Sequence, residues 1–165
     1  MSVSVRTATQ TDTERLCALT RRSIEELGAS AYDDEQLAAW AGGVAPSLYP
    51  IDSPDARVLV AEDSDDVVGV GWARWGPMDA FEAPVDGEIT GIYVHPAAAG
   101  NGIGSTLLDR LEGVVADHGV DSIGLWASRN AAPFYKKRGY TRVTTQSIEY
   151  GDVTLPVVEL SKPIC

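Results

Sequence analysis

The sequence contains few cysteines and no long apolar run, and each shortage argues against a class of protein. Only Cys17 and Cys165 occur among its 165 residues. Two cysteines are too few for the disulfide framework of a small secreted protein, so a reducing cytoplasm is expected. There is no run of 18 apolar residues to form a transmembrane helix, and the first residues do not resemble a secretion signal. A chain of this length is expected to form one domain over residues 1–165.

Basic residues are also scarce. Three lysines and ten arginines are outnumbered by 14 aspartates and ten glutamates, which leaves a net charge of −11. Nucleic acids and anionic membranes repel so acidic a chain, and neither is expected as a partner. An acidic surface with little lysine is typical of proteins from a salt-rich cytoplasm. A halophilic source is therefore a hypothesis, and an ordinary acidic protein is the alternative.

Glycine, in contrast, is concentrated just after the middle of the chain. Residues 88–94 are rich in β-branched and aromatic side chains and predict a strand, which Pro96 ends. Gly100, Gly102 and Gly104 follow, and then apolar residues recur at helical spacing. A glycine-rich turn between a strand and a helix exposes main-chain N–H groups at the positive end of the helix dipole. Such a turn is suited to binding phosphate groups.

Several phosphate ligands and one purely structural interpretation compete at this turn. The Walker loop is excluded, because no Gly-Lys-Ser/Thr run exists. The dinucleotide fingerprint is disfavoured, because Ser105 stands where its third glycine is required and no repeated strand-helix array follows. The three glycines would also be explained by a tight turn that packs a helix against a sheet.

Two stretches together resemble the signatures of a known family, the GNAT N-acetyltransferases. Residues 92–96 (Ile-Tyr-Val-His-Pro) with 100–105 (Gly-Asn-Gly-Ile-Gly-Ser) resemble its acetyl-CoA signature, Gln/Arg-x-x-Gly-x-Gly/Ala between the fourth strand and the third helix. Residues 130–140, with Asn130 and a Phe-Tyr pair, resemble its second signature. The resemblance is close over residues 58–142. Ala99 departs from the pattern, since the family has Gln or Arg there to contact the pyrophosphate.

The resemblance implies an α/β GNAT fold, with a mixed, mostly antiparallel sheet of about seven strands and about four helices. It also implies a bulged central strand, eased by Gly91, that splays from its parallel neighbour. The implied reaction is direct transfer of an acetyl group from acetyl-CoA to an amine of a small molecule or a protein, without a metal. Family members often form homodimers. The residues that the resemblance assigns to acetyl-CoA are Ile92, Tyr93, Val94, Gly100, Asn101, Gly102, Ile103, Gly104, Ser105, Asn130 and Tyr135.

Three groups are candidates for the chemistry. An aliphatic ammonium has a pKa of about 10.4, so a base must remove a proton at neutral pH. Glu88 is the leading candidate, although a strand carboxylate facing solvent is the alternative. The Val94 N–H is expected to donate to the thioester carbonyl, and Tyr135 to protonate the departing thiolate unless it is only a core residue. Glu82 and Asp86 in the adjoining loop are rival candidates for the base, and His95 and His118 are weaker ones.

Other residues have a binding and a structural interpretation. Asn130 is expected to bind the pantetheine amide or else to cap the following helix. Arg129 and residues 136–138 either contact the terminal phosphate or form a solvated helix face. Six aromatic residues lie in segments that would line an acceptor pocket or belong to the core: Tyr32, Trp40, Tyr49, Trp72, Trp75 and Phe81. None of these patterns identifies the acceptor.

The order of elements follows from periodicity and turn signals. Strands are predicted at 2–8, 57–62, 67–75, 88–94, 122–127, 140–150 and 153–160. Helices are predicted from the capping signal at Thr11 to residue 27, from Asp33 to about 42, from about 103 to 118, and at 131–138. Loops are predicted at 44–56 and 77–86.

Two rival functions are an inactive CoA-binding module of the same fold and a nucleotide-binding oxidoreductase.

Overall fold

One seven-stranded sheet organises the chain in the computed structural model, which describes residues 2–76 and 80–164. The strand order is β1-β2-β3-β4-β5-β7-β6. Every neighbouring pair is antiparallel except β4 and β5, which are parallel. The predicted mixed, mostly antiparallel sheet is therefore confirmed. The strands are β1 (Val3–Thr7), β2 (Ala56–Asp63), β3 (Asp66–Arg74), β4 (Gly87–Val94), β5 (Ser122–Ala127), β6 (Thr141–Tyr150) and β7 (Val153–Pro163).

Four helices cover the two faces of the sheet. They are α1 (Thr13–Leu27), α2 (Asp34–Gly42), α3 (Ile103–Asp117) and α4 (Ala132–Lys136). Side chains of a strand alternate between faces, so Val58 and Val60 pack in the core beneath α1 and α2, while Leu59 and Ala61 pack beneath α3 and α4. The result is a three-layer arrangement with one apolar core on each side of the sheet.

The helix starts differ in how well the sequence predicted them. At α2 the predicted start at Asp33 is confirmed, and it is a capping box: the Gln36 N–H donates to Asp33 Oδ1 at 2.8 Å and the Asp33 N–H donates to Gln36 Oε1 at 3.0 Å. At α1 the predicted cap at Thr11 is wrong. The buried carboxylate of Asp12 instead accepts from the Thr9 N–H at 2.8 Å and from Arg6, which ties the helix start to β1.

The parallel pair β4 and β5 separates soon after it forms. Only Gly87 and Glu88 of β4 are paired with β5, although β4 continues to Val94. Against β3, Trp72 is opposite Gly91 and the next pair joins Ala73 to Ile89, so the residue between, Thr90, is bulged out. A bulge bends a strand and increases its twist. The splayed strands expected from the sequence are thus present.

Most predicted elements are confirmed within one or two residues at each end. The predicted loop at 44–56 contains a short 3-10 turn at Pro46–Leu48, and α4 is shorter than predicted. Within the predicted loop at 77–86, residues 77–79 lie outside the described part of the chain, as does Cys165. Among the described residues, none of the helices is long and apolar enough to cross a membrane.

Candidate active site

The glycine turn leads directly into α3. Gly100 and Gly102 have φ angles of +84° and +81°, a left-handed conformation that side chains with a Cβ rarely adopt. The helix begins at Ile103, and its first internal bond runs from the Thr106 N–H to the Gly102 carbonyl at 3.0 Å. The N–H groups from Gly102 to Ser105 have no acceptor within the described chain. They form the predicted set of open donors at a helix N-terminus.

A first cavity of about 520 Å³ lies beside this turn. Its walls come from α1, the end of β4, the glycine turn and α4. Gly104 allows α4 to pack closely here, since a Cβ at that position would lie 3.3 Å from the Phe134 ring. Ten of the eleven residues predicted to bind acetyl-CoA line this cavity: Ile92, Tyr93, Val94, Gly100, Gly102, Ile103, Gly104, Ser105, Asn130 and Tyr135.

Asn101 is the exception among the predicted binding residues. It is absent from the described lining of the first cavity. Its side-chain amide donates to the Ala98 carbonyl at 2.9 Å, so the side chain holds the glycine turn in shape.

Asn130 contributes a polar atom with no partner. Its Oδ1 is buried and accepts no hydrogen bond from the described residues, a costly condition for a buried carbonyl oxygen. The alternative role as a helix cap is wrong, because Ala131 is the N-cap of α4 and no side chain caps that helix. An N–H donor entering the first cavity would satisfy this oxygen.

The backbone of Val94 faces the gap between β4 and β5. The neighbouring His95 N–H donates to the Val68 carbonyl on β3 at 2.9 Å. Because N–H groups alternate between the two sides of a strand, the Val94 N–H is directed away from β3, toward the side from which β5 has diverged. It is therefore free to donate to a ligand in the gap.

A second cavity of about 380 Å³ adjoins the first. Burial raises the pKa of Tyr135, which lines both cavities, so its hydroxyl stays protonated at neutral pH, and that hydroxyl makes no hydrogen bond to any described residue. Burial raises the pKa of Tyr93 to about 12. The residues that line both cavities are Trp40, Ile92, Tyr93, Ser128, Ala131 and Tyr135.

Glu88 lines the second cavity and is its only charged side chain among the described residues. Its carboxylate accepts from the Thr90 hydroxyl at 2.6 Å and lies 3.9 Å from Arg74 Nε. The Glu88 side chain is 18% exposed, so it is partly shielded from solvent.

The rival bases are engaged elsewhere. Desolvation alone would raise the pKa of Asp86, but hydrogen bonds from the Ser122 and Asp121 N–H groups outweigh it, and the pKa lies below its ordinary value. Glu82, His95 and His118 are absent from the described lining of both cavities. His95 Nδ1 accepts from the Ala97 N–H.

Of the described basic residues, only Arg138 reaches the first cavity. It donates to Ser105 Oγ and lies over the Phe134 ring, 4.1 Å from its centroid. Arg129 instead donates to the Ala31 carbonyl and lies over the Tyr32 ring, while Lys136 and Lys137 are exposed. The cavity wall also includes Ala99, so the positive side chain comes from the end of α4 rather than from the glycine turn.

Sequence reasoning missed three residues of the second cavity or its support. Trp126 and Tyr150 line the cavity, but no motif marks them. Glu159 is 0% exposed and accepts hydrogen bonds from the Glu82 and Ala83 N–H groups at 3.0 and 2.9 Å. Its position in an alternating strand shows only that its side chain points inward, which for a glutamate is itself unusual.

Comparison with known proteins gives the same assignment over most of the chain. The model of the Acetyltransferase (GNAT) family matches residues 13–140. The chain is 33% identical over 108 residues to an uncharacterized N-acetyltransferase, YjcF, of Bacillus subtilis, covering 66% of this chain and 71% of YjcF. It is 29% identical over 117 residues to an IAA acetyltransferase of Azospirillum brasilense, covering 64% and 72% of the two chains.

Solved structures share the fold over nearly the whole chain. The GCN5-related N-acetyltransferase of Rhodopseudomonas palustris superposes with a TM-score of 0.82 at 28% identity, over 99% of this chain and 96% of that one. PaiA N-acetyltransferase of Thermoplasma acidophilum, solved in complex with coenzyme A, has a TM-score of 0.78 at 20% identity over 99% of both chains. The second similarity shows the fold alone.

The fold is that of an acetyltransferase. The chain belongs to the GNAT family of acetyltransferases, and it is an enzyme that uses acetyl-CoA as its cosubstrate.

Proposed function

We propose that this enzyme transfers the acetyl group of acetyl-CoA directly to a primary amine held in the second cavity. The observation that carries the proposal is the junction of the two cavities at Tyr93 and Tyr135, beside the gap between β4 and β5. A donor held in the first cavity and an acceptor held in the second would meet at this junction. Cys17 is buried in α1 and lines neither cavity, so nothing favours a route through a cysteine.

The residues of the first cavity fit the chemistry of acetyl-CoA. The open N–H groups from Gly102 to Ser105 would bind its diphosphate, and Arg138 would add a positive charge at the same helix end. The unpartnered Asn130 oxygen would accept from an amide N–H of the pantetheine arm. Acetyl-CoA supplies the activated acetyl thioester, and these contacts serve to orient it.

Three groups of the chain would carry the chemistry. Glu88 would take the proton of the incoming ammonium, directly or through water, because it is the one carboxylate among the described residues of the second cavity. The Val94 N–H would donate to the negative charge that develops on the carbonyl oxygen, a contribution worth roughly 3–4 kcal/mol in comparable sites. Tyr135 would hold the proton needed at the departing sulfur.

The test is release of CoA thiol from acetyl-CoA in the presence of a panel of amines, with the acetylated amine identified by mass spectrometry. Glu88→Gln is expected to lower kcat at neutral pH by about 10²–10⁴-fold. The loss should shrink as the pH approaches the amine pKa of about 10.4, because the free amine then needs no base.

Glu82→Gln is the matched control, since the side chain of Glu82 is exposed and lines neither cavity. It should leave kcat unchanged across the same pH range. Equal effects of the two substitutions would remove Glu88 from the mechanism. Binding of CoA without thiol release by any amine would instead identify a CoA-binding module.

The acidic composition supports a second proposal, that the enzyme works in a cytoplasm with high internal salt. Its net charge of −11 also supports an acceptor that is neither nucleic acid nor part of a membrane. Because members of the family often form homodimers, we also propose a homodimer here, and sedimentation of the purified protein would measure its mass.

A further inference from the structure

The second cavity has an unusual wall. Seven aromatic side chains surround it, drawn from four strands, from α2, from α4 and from the segment before β4. These are Trp40, Trp72, Phe81, Tyr93, Trp126, Tyr135 and Tyr150. Binding sites for small molecules are lined by apolar groups with a few polar ones that orient the ligand, and this wall is at the apolar end of that range.

Five of these rings form two separate groups. The Tyr93 ring stacks on Trp72 with centroids 5.9 Å apart and lies 6.3 Å from Trp40. The Phe81 ring meets Trp126 edge to face at 6.1 Å. Flat rings from two directions favour an occupant that is itself flat and apolar, because aromatic pairs gain energy from stacked and edge contacts beyond the area they bury.

Charge in this cavity is confined to one place. Glu88 is the only charged residue among the described residues that line it, and the cation beside it, Arg74, lies 3.9 Å from its carboxylate. An ammonium would be attracted to Glu88 and to the ring faces. A carboxylate deeper in the cavity would find no cation among the described lining residues, and a second ammonium would find no second carboxylate. Burying a charge without an opposite charge is costly.

The segment that carries Phe81 is held by a buried charge. Both carboxylate oxygens of Glu159 lie 3.0 Å from the Glu82 N–H, and one accepts from the Ala83 N–H at 2.9 Å. Gln146 donates to the same carboxylate at 2.8 Å. Glu159 is fully buried, and its hydrogen bonds fix the backbone next to Phe81. The Phe81 ring is therefore a fixed part of the cavity wall.

We propose that the acceptor is an arylalkyl monoamine, a primary amine carried on an aromatic body with no other charge. The inference rests on the proposed transfer to an amine and deepens it. In this arrangement the amine points to Glu88 and the junction with the first cavity, while the aromatic body lies between the two groups of rings.

The experiment compares three probes that differ in charge and in aromatic content: 2-phenylethylamine, L-phenylalanine, which adds a carboxylate, and putrescine, an aliphatic diamine. Thiol release from acetyl-CoA gives kcat/KM for each. The value for 2-phenylethylamine is expected to exceed the other two by at least tenfold. Equal or higher efficiency with L-phenylalanine or putrescine would overturn the inference while leaving acetyl transfer in place.

Phe81→Ala tests the wall itself. It should raise KM for 2-phenylethylamine by at least tenfold and leave the Kd for CoA within twofold, because Phe81 lines only the second cavity. Trp75→Ala is the matched control. Trp75 stacks on His118 with centroids 3.7 Å apart and lines neither cavity, so its truncation should leave KM unchanged. The same rise in KM from both variants would contradict a specific role of Phe81.

Binding of 2-phenylethylamine to the CoA-saturated protein, followed by intrinsic tryptophan fluorescence, separates the two proposals. Binding without acetylation would support the acceptor class and count against the transfer reaction. If 2-phenylethylamine is neither bound nor acetylated, the inference is overturned.

Discussion

The hydroxyl of Tyr135 lies where the two cavities meet, and it is bonded to none of the described residues. Burial raises its pKa, so the phenol keeps its proton at neutral pH. We propose that this proton neutralises the thiolate of the departing CoA.

We expect Tyr135→Phe to lower kcat by about 10²-fold or more, within the range for loss of a general acid. The Kd for acetyl-CoA should stay within twofold, because the ring and its packing are retained. Stopped-flow thiol release and equilibrium titration with CoA measure the two quantities. Unchanged turnover would remove Tyr135 from the mechanism.

Tyr49→Phe is the control for this substitution. The Tyr49 hydroxyl is also buried, but it bonds Thr20 at 2.6 Å and the Leu16 carbonyl at 3.0 Å, away from both cavities. Its loss should lower the free energy of unfolding by about 1–2 kcal/mol and leave kcat as it was. The pair therefore separates a chemical role from a structural one.

At the scale of elements, the turn from β4 into α3 combines a strand end, two left-handed glycines and a helix N-terminus. A Cβ added at Gly102 would meet no protein atom within 4 Å, so the protein itself leaves room there. The glycine is needed for its φ of +81° and for close access of a ligand to the amides.

Gly102→Val is expected to raise the Kd for CoA by at least tenfold. The β-branched side chain would stand beside the open N–H groups, and the left-handed conformation would cost about 1–2 kcal/mol of stability. Calorimetric titration with CoA measures the affinity, and a thermal melt confirms that the variant is folded. Normal affinity in a folded variant would mean that the phosphates bind elsewhere.

Gly113→Val serves as the matched control. Gly113 lies within α3 and is exposed, and a Cβ added there would likewise meet no atom within 4 Å, but its backbone is helical. The substitution should leave the Kd for CoA unchanged.

At the scale of the whole molecule, the net charge of −11 opposes the binding of an anionic cosubstrate. Surface carboxylates repel the phosphates of CoA over a distance set by the ionic strength. That distance falls from about 10 Å at 0.1 M salt to about 3 Å at 1 M, which weakens the repulsion more than it weakens contacts at the helix end.

We expect the Kd for CoA to stay constant or to fall as KCl is raised from 0.1 to 2 M. Pantetheine, which lacks the phosphates, is the control ligand. Its Kd should not fall with salt, because it has no phosphate charge whose repulsion could be screened. Fluorescence titration at each salt concentration gives both values. A steep loss of CoA affinity with salt would argue against adaptation to a salt-rich cytoplasm.

Local patterns were sufficient for most elements and for the donor half of the site. The β-branched and aromatic residues of β4, the glycines after it and the apolar spacing of α3 are all signals between residues near in sequence. The cap at α1 failed for the opposite reason. The Asp12 carboxylate accepts from the local Thr9 N–H, two residues before the predicted cap, and also from Arg6 on β1, an interaction between elements that no local pattern contains.

The sequence by itself determined the order of elements, the amide-lined turn and the family, because each depends on short-range geometry or on signatures that survive in the residues. The tertiary structure alone decided the second cavity. Trp40, Phe81, Trp126 and Tyr150 come from distant parts of the chain and meet only because the sheet order brings α2, β5 and the β6–β7 hairpin together. Packing between distant elements decides which side chains line a cavity, so the second cavity could be identified only from the tertiary structure.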